Sequence, residues 1–142
     1  MVVRNTGADE VFLYSENWVE KVLNYAKGVH VVFDSVGSTL TDSFSATRDT
    51  GHVVFYGMSG GDPAPIDPRM LMDTSKTLTG GDLWSYLTSD IERIKRSNQL
   101  FEWLINGNIK LENPTKFKLS EGAEAHRFLE SRKSTGKILL IP

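Results

Sequence analysis

Residues 51–61, GHVVFYGMSGG, constrain the fold most: four large apolar side chains in a row, Val53 to Tyr56, run straight into a glycine-rich turn. A short apolar run without polar alternation predicts a strand buried on both faces, the kind found in parallel sheets with helices on either side. Residues 29–37, VHVVFDSVG, repeat the pattern, and residues 76–81, KTLTGG, give a shorter version. In open α/β sheets ligands bind just beyond the carboxyl ends of the strands. Three apolar strands ending in Asp34-Ser35-Val36-Gly37, Gly57-Met58-Ser59-Gly60 and Thr79-Gly80-Gly81 therefore predict a groove lined by backbone, suited to a flat ring, a ribose or an amide. The bland alternative is that each glycine only turns a strand into a helix.

The segments between these strands read as helices. Asn5-Thr6-Gly7 has the form of a helix end, and Val11 to Tyr14 read as a strand. Asn17 with Glu20 has capping-box spacing ahead of Trp18, Val19, Val22, Leu23 and Ala26, which share one face at helical period. Residues 38–50 read as a helix stopped by Gly51, and Asp67-Pro68 as the start of a short helix after a proline-rich loop. Ser89 with Glu92 opens a long helix closed by Gly107; residues 109–119 read as strand or extended loop, Ser120 caps a further helix, and residues 137–141, KILLI, close the chain as a strand. Alternation of this kind predicts an α/β fold, a partial Rossmann-type doubly wound, mostly parallel sheet with flanking helices.

Composition narrows the function. With 142 residues, 24% charged and 39% hydrophobic, the chain has the make-up of a globular domain. A net charge of −2 gives no reason to expect nucleic acid or an anionic membrane as partner. No apolar run approaches membrane-spanning length, and the N-terminal residues have no signal-peptide layout, so a cytoplasmic protein is expected. The absence of cysteine excludes disulfides and cysteine-ligated zinc, and His30, His52 and His126 lack ligand spacing, so no metal site is expected. No serine sits in a G-x-S-x-G elbow, and neither a P-loop nor a G-x-G-x-x-G turn occurs. No residue stands out as catalytic. Arg132, with Lys133 and Lys137, suits either a phosphate or the end of a helix dipole.

Four stretches in order, GADEVFLY, VHVVFDSVG, GHVVFYGMSGG and AHRFLESRKSTGKILLIP, resemble the C-terminal part of the zeta-crystallin-like quinone oxidoreductases of the medium-chain dehydrogenase/reductase superfamily. The resemblance covers the chain from Gly7 to Pro142. It implies an NADPH-dependent enzyme that passes a hydride to a quinone or activated alkene such as an enone, without catalytic zinc, as a homodimer joined through the strand around residues 77–83. The cofactor contacts it implies are Tyr14 at the adenosine end and Ser35 after the VVFD strand; Tyr56, Gly57, Met58 and Ser59, then Thr79, Gly80 and Gly81, around the nicotinamide; and Arg132 near the cofactor. This chain departs from the family at Met58, where many relatives carry Asn, and at Gly80-Gly81, where many carry Arg-Pro.

The same resemblance makes residues 1–108 the C-terminal part of a dinucleotide-binding domain. Residues 109–142 are then a segment returning toward the substrate domain. That domain, and the first two strands of the nucleotide-binding sheet with their pyrophosphate turn, would precede Met1, so the chain is expected to be a fragment. Two alternatives stay open: a nucleotide-binding or assembly module without catalysis, and an unrelated doubly wound domain.

Overall fold

The computed structural model describes residues 2–131 and 133–142. The chain divides into two compact units, Val3–Thr88 and Ser89–Pro142.

The described chain opens on a single helical turn, α1 (Val2–Asn5). Gly7, with φ of 103°, ends it as the Asn5-Thr6-Gly7 pattern announces. In α2 (Trp18–Ala26) the Asn17 side chain accepts from the Glu20 amide at 3.5 Å, as the N-cap, while the Glu20 carboxylate accepts from the Asn17 side-chain amide at 2.7 Å rather than from the Asn17 main chain that a capping box would use. Then follow β1 (Val29–Asp34), α3 (Leu40–Ala46), β2 (Thr47–Phe55), α4 (Pro68–Thr74), β3 (Thr77–Gly80) and the short α5 (Leu83–Tyr86). The Asp67 carboxylate caps α4 through the Arg69 amide at 2.8 Å, with Pro68 in the first turn where its missing N–H costs nothing.

The three strands form one parallel sheet with β2 in the middle. Val32, Val53 and Leu78 stand in one row across it, and Asp34, Phe55 and Gly80 in the next row toward the carboxyl ends. These residues share a face, which packs under α3 and α4. Its centre is Leu40, Phe44 and Val53, the last with no exposed surface, surrounded by Ile66, Met70 and Leu71. On the other face Val31 is 47% and Phe33 70% exposed. Across that face the His52 ring Nε2 and the Thr79 hydroxyl lie 2.6 Å apart, tying β2 to β3.

Several local expectations are corrected here. The chain over residues 11–14 is no strand; Phe12 instead meets the Tyr25 ring and Tyr14 the Trp18 ring, both edge-on. A strand needs a ladder partner, and among the described residues β1 to β3 pair only with one another. The helix expected over residues 38–50 stops at Ala46, because Thr47 turns extended and its hydroxyl donates to the Ser43 carbonyl at 2.6 Å, closing the last turn. Gly51 then lies inside β2 rather than at a helix end, and a Cβ there would strike Thr47 and come within 2.8 Å of the Arg48 carbonyl. The strands read as buried on both faces are buried on one.

The second unit carries α6 (Asp90–Ile105), opened by the Ser89 hydroxyl accepting from the Glu92 amide at 3.3 Å. Gly107, with φ of 73°, follows its end. The extended region expected over residues 109–119 narrows to β4 (Thr115–Lys118), which starts right after Pro114. The predicted Ser120 cap is replaced by a 3-10 turn, Leu119–Glu121, where the Glu121 carboxylate accepts from the Lys118 amide at 2.8 Å. Next come α7 (Gly122–Glu130) and β5 (Ile138–Ile141), the strand expected from KILLI. β4 and β5 pair in parallel, and α7 packs on them through Ala125 and the Phe117 and Phe128 rings.

Candidate functional site

The register brings the carboxyl ends of all three strands to one edge, since Asp34, Phe55 and Gly80 stand side by side. The segments that leave these ends are laced together by main-chain bonds. The Tyr56 amide donates to the Asp34 carbonyl at 3.0 Å, the Gly60 amide to the Val36 carbonyl at 2.8 Å, and the Gly81 amide to the Phe55 carbonyl at 2.9 Å. Ser59 donates twice to the Ser35 carbonyl, from its amide at 3.2 Å and its hydroxyl at 3.1 Å.

The first two of these loops touch backbone to backbone. A Cβ on Gly57 would lie 2.9 Å from the Ser35 carbonyl oxygen, and one on Gly60 2.6 Å from the Val36 side chain. Gly37, at φ of 83°, would drive a Cβ into the Gly61 carbonyl. Glycine is required at these points by close approach, and at Gly37 by conformation as well.

Asp34 organises the turn after β1. Its carboxylate accepts from the Val36 amide at 2.9 Å, the Gly37 amide at 3.0 Å, the Thr39 hydroxyl at 3.1 Å and the Ser43 hydroxyl at 2.7 Å. Burial raises its pKa, but the Ser43 hydroxyl, the Gly37 and Val36 amides and the Thr39 hydroxyl outweigh it, so the group sits below the usual carboxylate value. Fully bonded and 3% exposed, it holds the turn rather than facing a ligand.

With the first two loops pressed together, the open space lies between the second and third. A cavity of about 610 Å³ has Phe55, Tyr56, Gly57 and Met58 on the β2 side. Gly80, Gly81, Asp82 and Ser85 line it on the β3 side. A Cβ on Gly80 would meet nothing within 4 Å, so the glycine leaves the cavity open at that point. Asp82 caps α5 through the Trp84 amide at 3.1 Å.

Of the residues singled out from sequence, Tyr56, Gly57, Met58, Gly80 and Gly81 come together around this cavity. Ser35 and Ser59 are joined to each other beside it, and the Thr79 side chain is bonded to His52 on the open face of the sheet. Tyr14, 66% exposed, packs on Trp18 and does not line the cavity. Arg132 lies outside the described residues. Sequence reasoning missed Phe55, Asp82 and Ser85. The Asp82 signal was present, as a capping residue directly after Gly81, but α5 is too short to show a period. Among the described residues no group of three His, Asp or Glu is placed to hold a metal ion, and no helix is long and apolar enough to cross a membrane.

Comparison with known proteins bears on this geometry. The chain is 34% identical over 143 residues to quinone oxidoreductase 1 of Escherichia coli K12, and 32% identical over 135 residues to a probable quinone oxidoreductase of Schizosaccharomyces pombe. These alignments take in 96% and 93% of the chain, which spans only 44% and 41% of the two relatives. Its fold superposes on the crystal structure of Escherichia coli quinone oxidoreductase complexed with NADPH with a TM-score of 0.79 at 32% identity, covering 98% of this chain and 45% of that one. The family model described as zinc-binding dehydrogenase matches residues 6–140, so the chain belongs to that family.

Proposed function

We propose that this chain is the cofactor-domain part of an NADPH-dependent quinone oxidoreductase. Residues 1–108 belong to its dinucleotide-binding domain, and residues 109–142 return toward a substrate domain. The observation that carries the proposal is the cavity beyond the Asp34–Phe55–Gly80 row, at the strand ends where α/β sheets bind ligands.

The cavity fits a nicotinamide. Gly57, Gly80 and Gly81 bring the main chain to its walls, where N–H and C=O groups are the kind of partner a carboxamide needs, and Phe55 and Tyr56 offer apolar surface for a flat ring. Tyr56, Gly57, Met58 and Ser59 would hold the ring from one side and Thr79, Gly80 and Gly81 from the other, with Tyr14, Ser35 and Arg132 toward the adenosine and phosphate end. The bound cofactor supplies the hydride. This chain's residues orient the ring and exclude water from it, and none of them is given a catalytic role. The acceptor is a quinone or activated alkene, the reaction uses no zinc, and the protein is a cytoplasmic homodimer. Among the described residues β3 pairs only with β2, and its other edge suits self-association about a two-fold axis.

The sequence contains no G-x-G-x-x-G turn for the pyrophosphate. The isolated chain is therefore expected to bind NADPH only weakly and to reduce no quinone. Titration followed by cofactor fluorescence checks this, and micromolar binding would contradict it. At millimolar NADPH, amide NMR signals of residues 56–59 and 79–81 should shift; signals that stay still would sink the site assignment. A second reading is a nucleotide-binding or assembly module that keeps the fold without catalysis. Fusing the chain behind the N-terminal part of the Escherichia coli relative separates the two, because only the enzyme reading predicts restored NADPH-dependent quinone reduction.

A further inference from the structure

We propose that the cavity between the second and third strand ends discriminates by charge, binding a planar cationic ring more tightly than the same ring in neutral form, and that Asp82 is the residue responsible. The proposal rests on reading the cavity as a nicotinamide site. Among the described residues that line it, only Asp82 carries a formal charge, and none is Lys, Arg or His. One Asp82 oxygen accepts from the Trp84 amide at 3.1 Å, which fixes the carboxylate in place. A carboxylate offers about four lone-pair directions, so this bond leaves most of its capacity free.

Phe55, Tyr56 and Met58 line the β2 side of the same cavity, with Phe55 also packed against the core, and an aromatic face attracts cations as well as stacking on flat rings. A neutral ring gains only the stacking. A pyridinium gains the stacking, the ring quadrupoles and the carboxylate. Nicotinamide is a pyridinium when oxidised and a neutral dihydropyridine when reduced, so the wall favours the oxidised cofactor. The plain alternative is that Asp82 does no more than start α5. Asn is an equal N-cap, so Asp82→Asn keeps that role and removes only the charge.

The test titrates the chain with the ring-N-methylated nicotinamide cation and, separately, with neutral nicotinamide, following the Gly57, Gly80 and Gly81 amides by NMR. The expected result is binding of the cation about five-fold tighter, weakening as salt is added. In Asp82→Asn the two affinities should fall within about two-fold of each other. Equal affinities in the unaltered chain, or a preference that survives Asp82→Asn, overturn the charge proposal and leave the nicotinamide site standing. If neither ring moves these amides, the nicotinamide reading falls and this proposal falls with it.

Discussion

The two faces of the three-stranded sheet are built from similar residues and have different surroundings. On one, Val32, Val53 and Leu78 lie under Leu40, Phe44 and Met70. On the other, Val31 and Phe33 stand largely in the open and the hydrogen bond between His52 and Thr79 spans the surface. The strand runs VHVVFD and GHVVF are apolar toward both faces, so the difference lies in what covers them. Apolar pattern declares that a face can be buried; whether it is buried depends on elements elsewhere in the chain.

The sharpest way to break this contrast is a pair of identical substitutions. Phe44→Ala, on the covered side and 3% exposed, should cost about 3–5 kcal/mol by loss of transfer energy and a residual cavity. Phe33→Ala, 70% exposed, should change stability by no more than about 0.5 kcal/mol. Urea unfolding of both variants measures the difference, and similar losses would mean the second face is covered in solution.

Next in size is Asp34, which closes the covered face at the strand end. Asp34→Ala strands two amides and two hydroxyls and should cost about 3 kcal/mol. The pH dependence follows from the sign of its shift. The folded-state pKa lies below the unfolded one, so the stabilisation is fully present above the unfolded value of about 4 and is lost as pH falls through the folded value. Asp34→Asn should flatten this acid limb, seen by comparing thermal midpoints of the two proteins at pH values from neutral down into the acid range.

The smallest effect belongs to the open face. His52→Ala removes a single cross-strand bond next to solvent and should cost about 0.5–1 kcal/mol. A loss as large as that of Asp34→Ala would show that the open face carries as much of the fold as the covered one.

Sequence was most informative where a side chain answers a local need. Asn17, Asp67 and Ser89 cap the helices they were expected to cap, because capping spans only three or four residues. The three strands that run into small residues, and the meeting of Tyr56, Gly57, Met58, Gly80 and Gly81 beyond them, were legible for the same reason: apolar runs stopped by small residues mark strand ends. Residues 11–14 failed because a strand exists only with a neighbour, which no local pattern can supply. Thr47 ended α3 four residues before the glycine that looked like its stop, a tertiary preference for sheet over an indifferent helix. Asp82 and Ser85 escaped notice because a wall of a cavity is set by how two loops face each other.

The interlocked glycines after β1 and β2 carry a mechanical consequence. With Gly37, Gly57 and Gly60 leaving no room for even a methyl group, and Ser59 and Gly60 bonded to Ser35 and Val36, the first two loops move as a single block. The third segment is joined to that block by the bond from Gly81 to Phe55, and Gly80 has free space around it. The side of the cavity from Gly80 to Ser85 is therefore the one with room to adjust to what enters it, and the β2 side is the fixed one.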